Sequence, residues 1–116
     1  MGKNMHTKIV LSLAFSLLSI FAFAEPQKLN CDVGPIIKKF GGSDWLVYSC
    51  GDSQNIIFVT AQGSPAMPFV FIRANGKLRG EGNGKKEYTD PAYSELKQLT
   101  SAQVEKLIEE TKSVKK

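Results

Sequence analysis

The side chains that could do chemistry are few in this chain of 116 residues: two cysteines, one histidine and 11 acids. The histidine is His6, inside an N-terminal stretch that reads as an export signal. Ser-His-Asp and Cys-His catalysis both need an imidazole to take the nucleophile's proton. Beyond that stretch the chain has none. No serine stands in an obvious activating constellation, so serine–lysine catalysis is not expected either. Paired carboxylates could serve a hydrolase, with Asp44, Asp52, Glu81, Glu87 and Asp90 as candidates. Asp52 reads more simply as a turn residue, Asp90 as a helix cap, and Asp44 as the end of a glycine turn. Glu81 projects from a strand beside glycines, where a solvated edge charge is the simpler reading.

One run could hold a ligand without a catalyst. Arg79-Gly80-Glu81-Gly82-Asn83-Gly84-Lys85-Lys86 alternates three glycines and ends on two lysines. Bare glycines let backbone amides approach an anion, and the lysines would attract it. The candidate anion or glycan loop is therefore Arg79, Gly80, Gly82, Gly84, Lys85 and Lys86. The spacing is GxGxG rather than GxGxxG and lies outside any βαβ unit, so a dinucleotide site is not expected. Calcium would want more acids than Glu81 and Asn83 supply. Two sulfurs without a histidine do not make a tetrahedral zinc shell. Neither a metal nor a cofactor is expected.

The compartment follows from the first 24 residues. Lys3 and Lys8 precede an apolar run from Ile9 to Ala24, which ends Ala22-Phe23-Ala24 before Glu25-Pro26. That is the order of a cleaved secretory signal. The run is shorter than the ~18–20 residues that span a bilayer, so no stable membrane anchor is expected after cleavage. Residues 25–116 then form a single small domain, periplasmic or secreted. Removal of the two lysines lowers the formal net charge of +4 by two. With no basic stripe interleaved with aromatics, nucleic acid is not an expected partner.

An oxidising compartment makes Cys31 and Cys50 a disulfide pair. Closing a loop of about 20 residues stabilises by roughly 3 kcal/mol in the chain-entropy model. For so small a domain that is a large share of the margin.

The elements that must position these groups read as α+β. Residues 34–42 predict a short N-terminal helix, with Pro35 at its first position, Ile36, Ile37 and Phe40 on one face and Gly41 or Gly42 as its stop. Four strands follow, over 45–50, 55–61, 69–74 and 77–81, with Asn75-Gly76 as a two-residue hairpin turn. After a connector over 82–87, Asp90-Pro91 predicts a helix cap and first turn, and Thr100 with Gln103 predicts a capping box. The expected fold is a four-stranded antiparallel meander with a short N-terminal helix and two C-terminal helices packed on the sheet.

The second and third strands are apolar on both alternating faces. One face can take the C-terminal helices, and the other needs the N-terminal helix, a curled sheet or a partner: either both faces are covered within the monomer, or an apolar patch is left for binding or dimerisation. Alternation groups Trp45, Phe69, Phe71 and Arg73 as the candidate binding surface.

The stretch Tyr48-Ser49-Cys50-Gly51-Asp52, followed by Ile56-Ile57-Phe58-Val59, resembles the start of the bacterial periplasmic C-type lysozyme inhibitors. Those are small, exported, disulfide-bearing β-proteins. The resemblance covers residues 48–59 alone. The family's later serine-glycine and tyrosine signature and its C-terminal cysteine have no counterpart here, and two C-terminal helices are foreign to it. It implies only that inhibition of a secreted hydrolase such as lysozyme suits a molecule of this kind. The expected function is that of an exported, non-enzymatic protein that binds another protein or an envelope component. A second copy of the chain is one candidate partner.

Overall fold

The computed structural model describes residues 30–51 and 53–114. The segment read as an export signal, residues 25–29, Asp52 and the last two lysines lie outside the described residues.

The segment expected to be a helix is a strand. β1, Val33–Phe40, pairs antiparallel with β2, Ser43–Ser49, and Phe40 stands opposite Ser43. The two residues between them, Gly41 and Gly42, have φ of +60° and +80°. Positive φ at both central positions is the type I′ hairpin geometry, whose twist matches that of the flanking strands. The glycines read as a helix stop are thus a hairpin turn. Pro35 fits because the register shifts between Val33 and Ile36, and a bulge on an edge strand needs no donor there.

The chain continues as a meander through β3, Ile56–Thr60, β4, Phe69–Ala74, and β5, Lys77–Gly82. The sheet therefore has five strands in the order β1-β2-β3-β4-β5, not four. Asn75 and Gly76 also have positive φ, 54° and 77°, and make the β4–β5 turn as expected.

Two helices complete the fold. α1 spans Lys86–Lys97 and α2 spans Ser101–Lys112. α1 starts a turn earlier than the Asp90-Pro91 signal implies: its N-cap is Lys85, and Pro91 lies inside it. The added turn buries Thr89 and half-buries Tyr88 against the core. That burial offsets the missing Pro91 N–H. α2 begins with the expected capping box: the Gln103 N–H donates to Thr100 Oγ1 at 3.2 Å, and the Thr100 N–H donates to Gln103 Oε1 at 2.8 Å.

Both helices lie on one side of the sheet. Trp45, Val47, Ile56, Phe58 and Phe71 meet Ala92, Leu96, Val104, Leu107 and Ile108 there. Each large side chain so buried stabilises the fold by ~1.5–3 kcal/mol. A buried hydroxyl pair fixes the seating of α2. Thr111 Oγ1 donates to the Ile108 carbonyl at 2.6 Å and lies 2.6 Å from Ser49 Oγ. A hydroxyl has one proton, so Ser49 is the donor to Thr111. The start of the described chain is clamped to the end of β2 by the Cys31–Cys50 disulfide.

Candidate functional site

Strand alternation sends half of the sheet residues away from the helices, and most of these are apolar. The antiparallel register aligns them in two rows. In the first, Ile37, Leu46, Val59 and Val70 lie side by side across β1 to β4, and Glu81 ends the row on β5. In the second, Tyr48, Ile57 and Ile72 cross β2 to β4, and Arg79 ends the row on β5. None of these side chains belongs to the core cluster or packs against it among the described residues. Ile37 is 64% exposed, the most open large hydrophobic side chain described. Leu46, Tyr48, Ile57, Val59, Val70 and Ile72 are half-buried, shielded by their neighbours in the rows.

Four of the five charges at the margin form two ion pairs, and the fifth, Lys77 on β5, is exposed opposite Ala74. Lys39 Nζ lies 3.1 Å from Asp44 Oδ1, on the strand pair β1–β2. Arg79 pairs with Glu81 along β5. Such exposed pairs contribute ~0–1 kcal/mol each to stability. The two pairs cancel in the field, and Lys77 leaves the margin with one positive charge. The middle of the face is apolar, and its charges are confined to the margin.

The side chains expected at the binding surface lie elsewhere. Trp45 and Phe71 are 0% and 2% exposed, in the core under the helices. Their rings are 5.2 Å apart, and Phe69 packs on Phe71 at 4.9 Å. Phe69 and Arg73 are half-buried on the same side. Sequence alternation separates the two faces correctly but does not say which the helices cover. Polar residues obscure the choice. Ser49 and Thr60 face inward, where Ser49 meets Thr111, and Thr60 Oγ1 lies 3.3 Å from both the Phe69 carbonyl and the Phe69 N–H. The signal available was the more uniform outer set, Leu46-Tyr48, Ile57-Val59 and Val70-Ile72.

The glycines of the candidate anion loop serve packing. A Cβ on Gly80 would stand 2.7 Å from the Phe69 ring, and one on Gly82 would stand 2.5 Å from the Pro68 carbonyl oxygen. On Gly84 it would stand 2.0 Å from the Ala66 carbonyl oxygen. The space beside each glycine is filled by this chain's own β3–β4 loop and β4 aromatics. Lys85 and Lys86 are exposed at the start of α1.

The candidate acids among the described residues do not form a cleft. Asp44 and Glu81 are engaged in the ion pairs above, and Glu87 and Asp90 are exposed on α1. Ser94 and Lys97 stand in the SxxK spacing, both exposed on α1, but the Lys97 ammonium sits 5.7 Å above the Tyr93 ring. No group of three or more His, Cys, Asp or Glu able to hold a metal occurs among the described residues. No helix among them is long and apolar enough to cross a membrane. Comparison with protein-family models, with curated proteins and with solved structures returns no match.

Proposed function

We propose that this chain is a small exported, non-enzymatic protein that binds another protein through the outer face of its sheet. The observation that carries the reading is the pair of apolar rows from Ile37 to Val70 and from Tyr48 to Ile72, which no described core side chain covers. Exposed contiguous apolar surface of this kind marks an interaction site on a folded protein. A margin with a single net positive charge is too weak to hold a polyanion or an anionic bilayer, which favours a protein surface. Export is supported by the three-part pattern of residues 1–24.

Two measurements test the proposal. Cell fractionation with intact mass is expected to find an envelope or secreted chain that begins at Glu25. A photo-cross-linker placed at Ile37 is expected to form a protein adduct in the cell, while the same group at the exposed Glu109 of α2 forms none. Retention of residues 1–24 in the cytoplasm would end the export reading. Absence of an adduct at Ile37 would end the binding reading.

A further inference from the structure

We infer that the Cys31–Cys50 bridge is a redox-sensitive latch on the end of α2. While the bridge is closed, the last turn of α2 is docked. When a dithiol opens it, that turn comes free and the rest of the sheet stays whole. The latch lies on the helix side of the sheet and does not depend on what binds the outer face.

The ladder is thin where the bridge acts. Val33 pairs with Ser49, and the next ladder position is Ile36 with Val47. Gly34 and Pro35 lie in the shift between them, and a proline has no N–H to give a ladder. β1 is also an edge of the described sheet, paired with β2 alone. Beyond the shift, the ladder thus holds this stretch at one position, Val33. The bridge ties it covalently to Cys50, one residue past the end of β2.

The same stretch is the floor of the last turn of α2. A Cβ on Gly34 would stand 2.8 Å from the Val47 carbonyl oxygen and 3.5 Å from Thr111 Cβ, so the backbone here packs on both. Thr111 is 1% exposed, and its hydroxyl meets that of Ser49, the residue opposite Val33. α2 packs on β1 and β2. Lifting Cys31 to Gly34 therefore opens the Ser49–Thr111 pair to water and removes the support of the turn. β3, β4 and β5 hold one another through their own ladders and lie outside this chain of contacts.

Opening the latch is thiol–disulfide exchange. A thiolate of the dithiol attacks one sulfur of the bridge and expels the other as a thiolate. The reagent's second thiol then displaces the bound cysteine and closes the reagent's own disulfide. Two electrons pass from the reagent to the bridge, and the protons of its two thiols end on Cys31 and Cys50. Cys31 is half-buried and Cys50 is 7% exposed, so the bridge is open to attack from the side of Cys31. A closed bridge restrains the lifted stretch as it restrains the unfolded chain, so local opening is the first motion that its loss permits.

Backbone nitrogen-15 relaxation tests the latch, with the chain expressed from Met1, purified as the cell processes it, and measured oxidised and after dithiothreitol. In the oxidised chain, order parameters near ~0.85 are expected from Ile108 to Thr111. Reduction is expected to lower these below ~0.6 and to leave β3 and β4 near ~0.85. The Cys31→Ser/Cys50→Ser variant forms no bridge and is expected to match the reduced chain. An α2 end that stays rigid on reduction would overturn the latch, because the bridge would then act on the unfolded chain alone. Loss of order across β3 and β4 would overturn it too, because the bridge would then hold the whole fold. So would a double variant whose α2 end stays rigid, since the change on reduction would then belong to the thiols and not to the open bridge.

Discussion

Ile37 on β1 stands directly opposite Leu46 on β2, on the side of the sheet away from both helices. One residue further along β2, Val47 is fully buried beneath α2. The boundary between core and open surface thus runs through the plane of the sheet, and adjacent residues fall on opposite sides of it.

Truncation on β3 should show that boundary as a difference in stability. Phe58→Ala removes a fully buried ring that packs edge-on to Phe40 at 5.6 Å. It is expected to cost about 3–5 kcal/mol. Val59→Ala, one residue later on the open face, is expected to cost about 1 kcal/mol or less. Chemical denaturation of both variants measures the difference.

The direction of the Ser49–Thr111 hydrogen bond has its own consequence. Thr111→Val leaves the buried Ser49 hydroxyl without its acceptor and is expected to cost about 1–3 kcal/mol. Ser49→Ala leaves Thr111 still donating to Ile108, so its cost should be nearer ~1 kcal/mol. The double variant should cost less than the sum of the two, as a double-mutant cycle would show.

The two turn glycines after β1 should respond unequally. Both have positive φ, which disfavours alanine. A Cβ at Gly41 would also stand 2.4 Å from the Ala92 nitrogen, whereas nothing lies within 4 Å of one at Gly42. Gly41 also donates its N–H to Glu95 Oε1 at 2.7 Å, tying the hairpin to α1. Gly42→Ala is expected to cost ~1 kcal/mol, and Gly41→Ala clearly more, with α1 displaced. Thermal melts rank the pair, and amide exchange over 86–97 reports the displacement.

Reduction of the disulfide should lower stability without erasing the fold. Cys31 and Cys50 are 19 residues apart in sequence, and the cross-link constrains the unfolded chain by roughly 3 kcal/mol. The Cys31→Ser/Cys50→Ser variant is expected to unfold at lower denaturant, with its unfolding free energy reduced by that amount, while its far-UV spectrum stays native. A variant as stable as the wild type would show that the bridge contributes nothing.

Local chemistry made much of this legible from sequence. Asn75-Gly76 and the Thr100–Gln103 box are short-range devices whose residues sit beside their partners, and both form as expected. β2 to β4 are rich in residues that fit a pleated surface, and β5 follows from the Asn75-Gly76 turn. β1 was not legible, because Ile36, Ile37 and Phe40 suit one face of a helix as well as they suit a strand. What decides is pairing with β2 through the Gly41-Gly42 turn, a tertiary term that outweighs local pattern. The site was legible as a surplus of apolar strand faces but not as a particular face. Helices choose the face with room for Trp45 and Phe71, and only packing reveals that choice.

The most direct measurement is the Ile57→Asp variant, assayed for both folding and association. Ile57 lies on the open face, and its neighbour Ile56 is fully buried beneath the helices. The expected result is an unfolding free energy lowered by no more than ~1 kcal/mol and loss of partner association. Collapse of the fold would show that the outer face is core, and a folded variant that still associates would show that partners bind elsewhere.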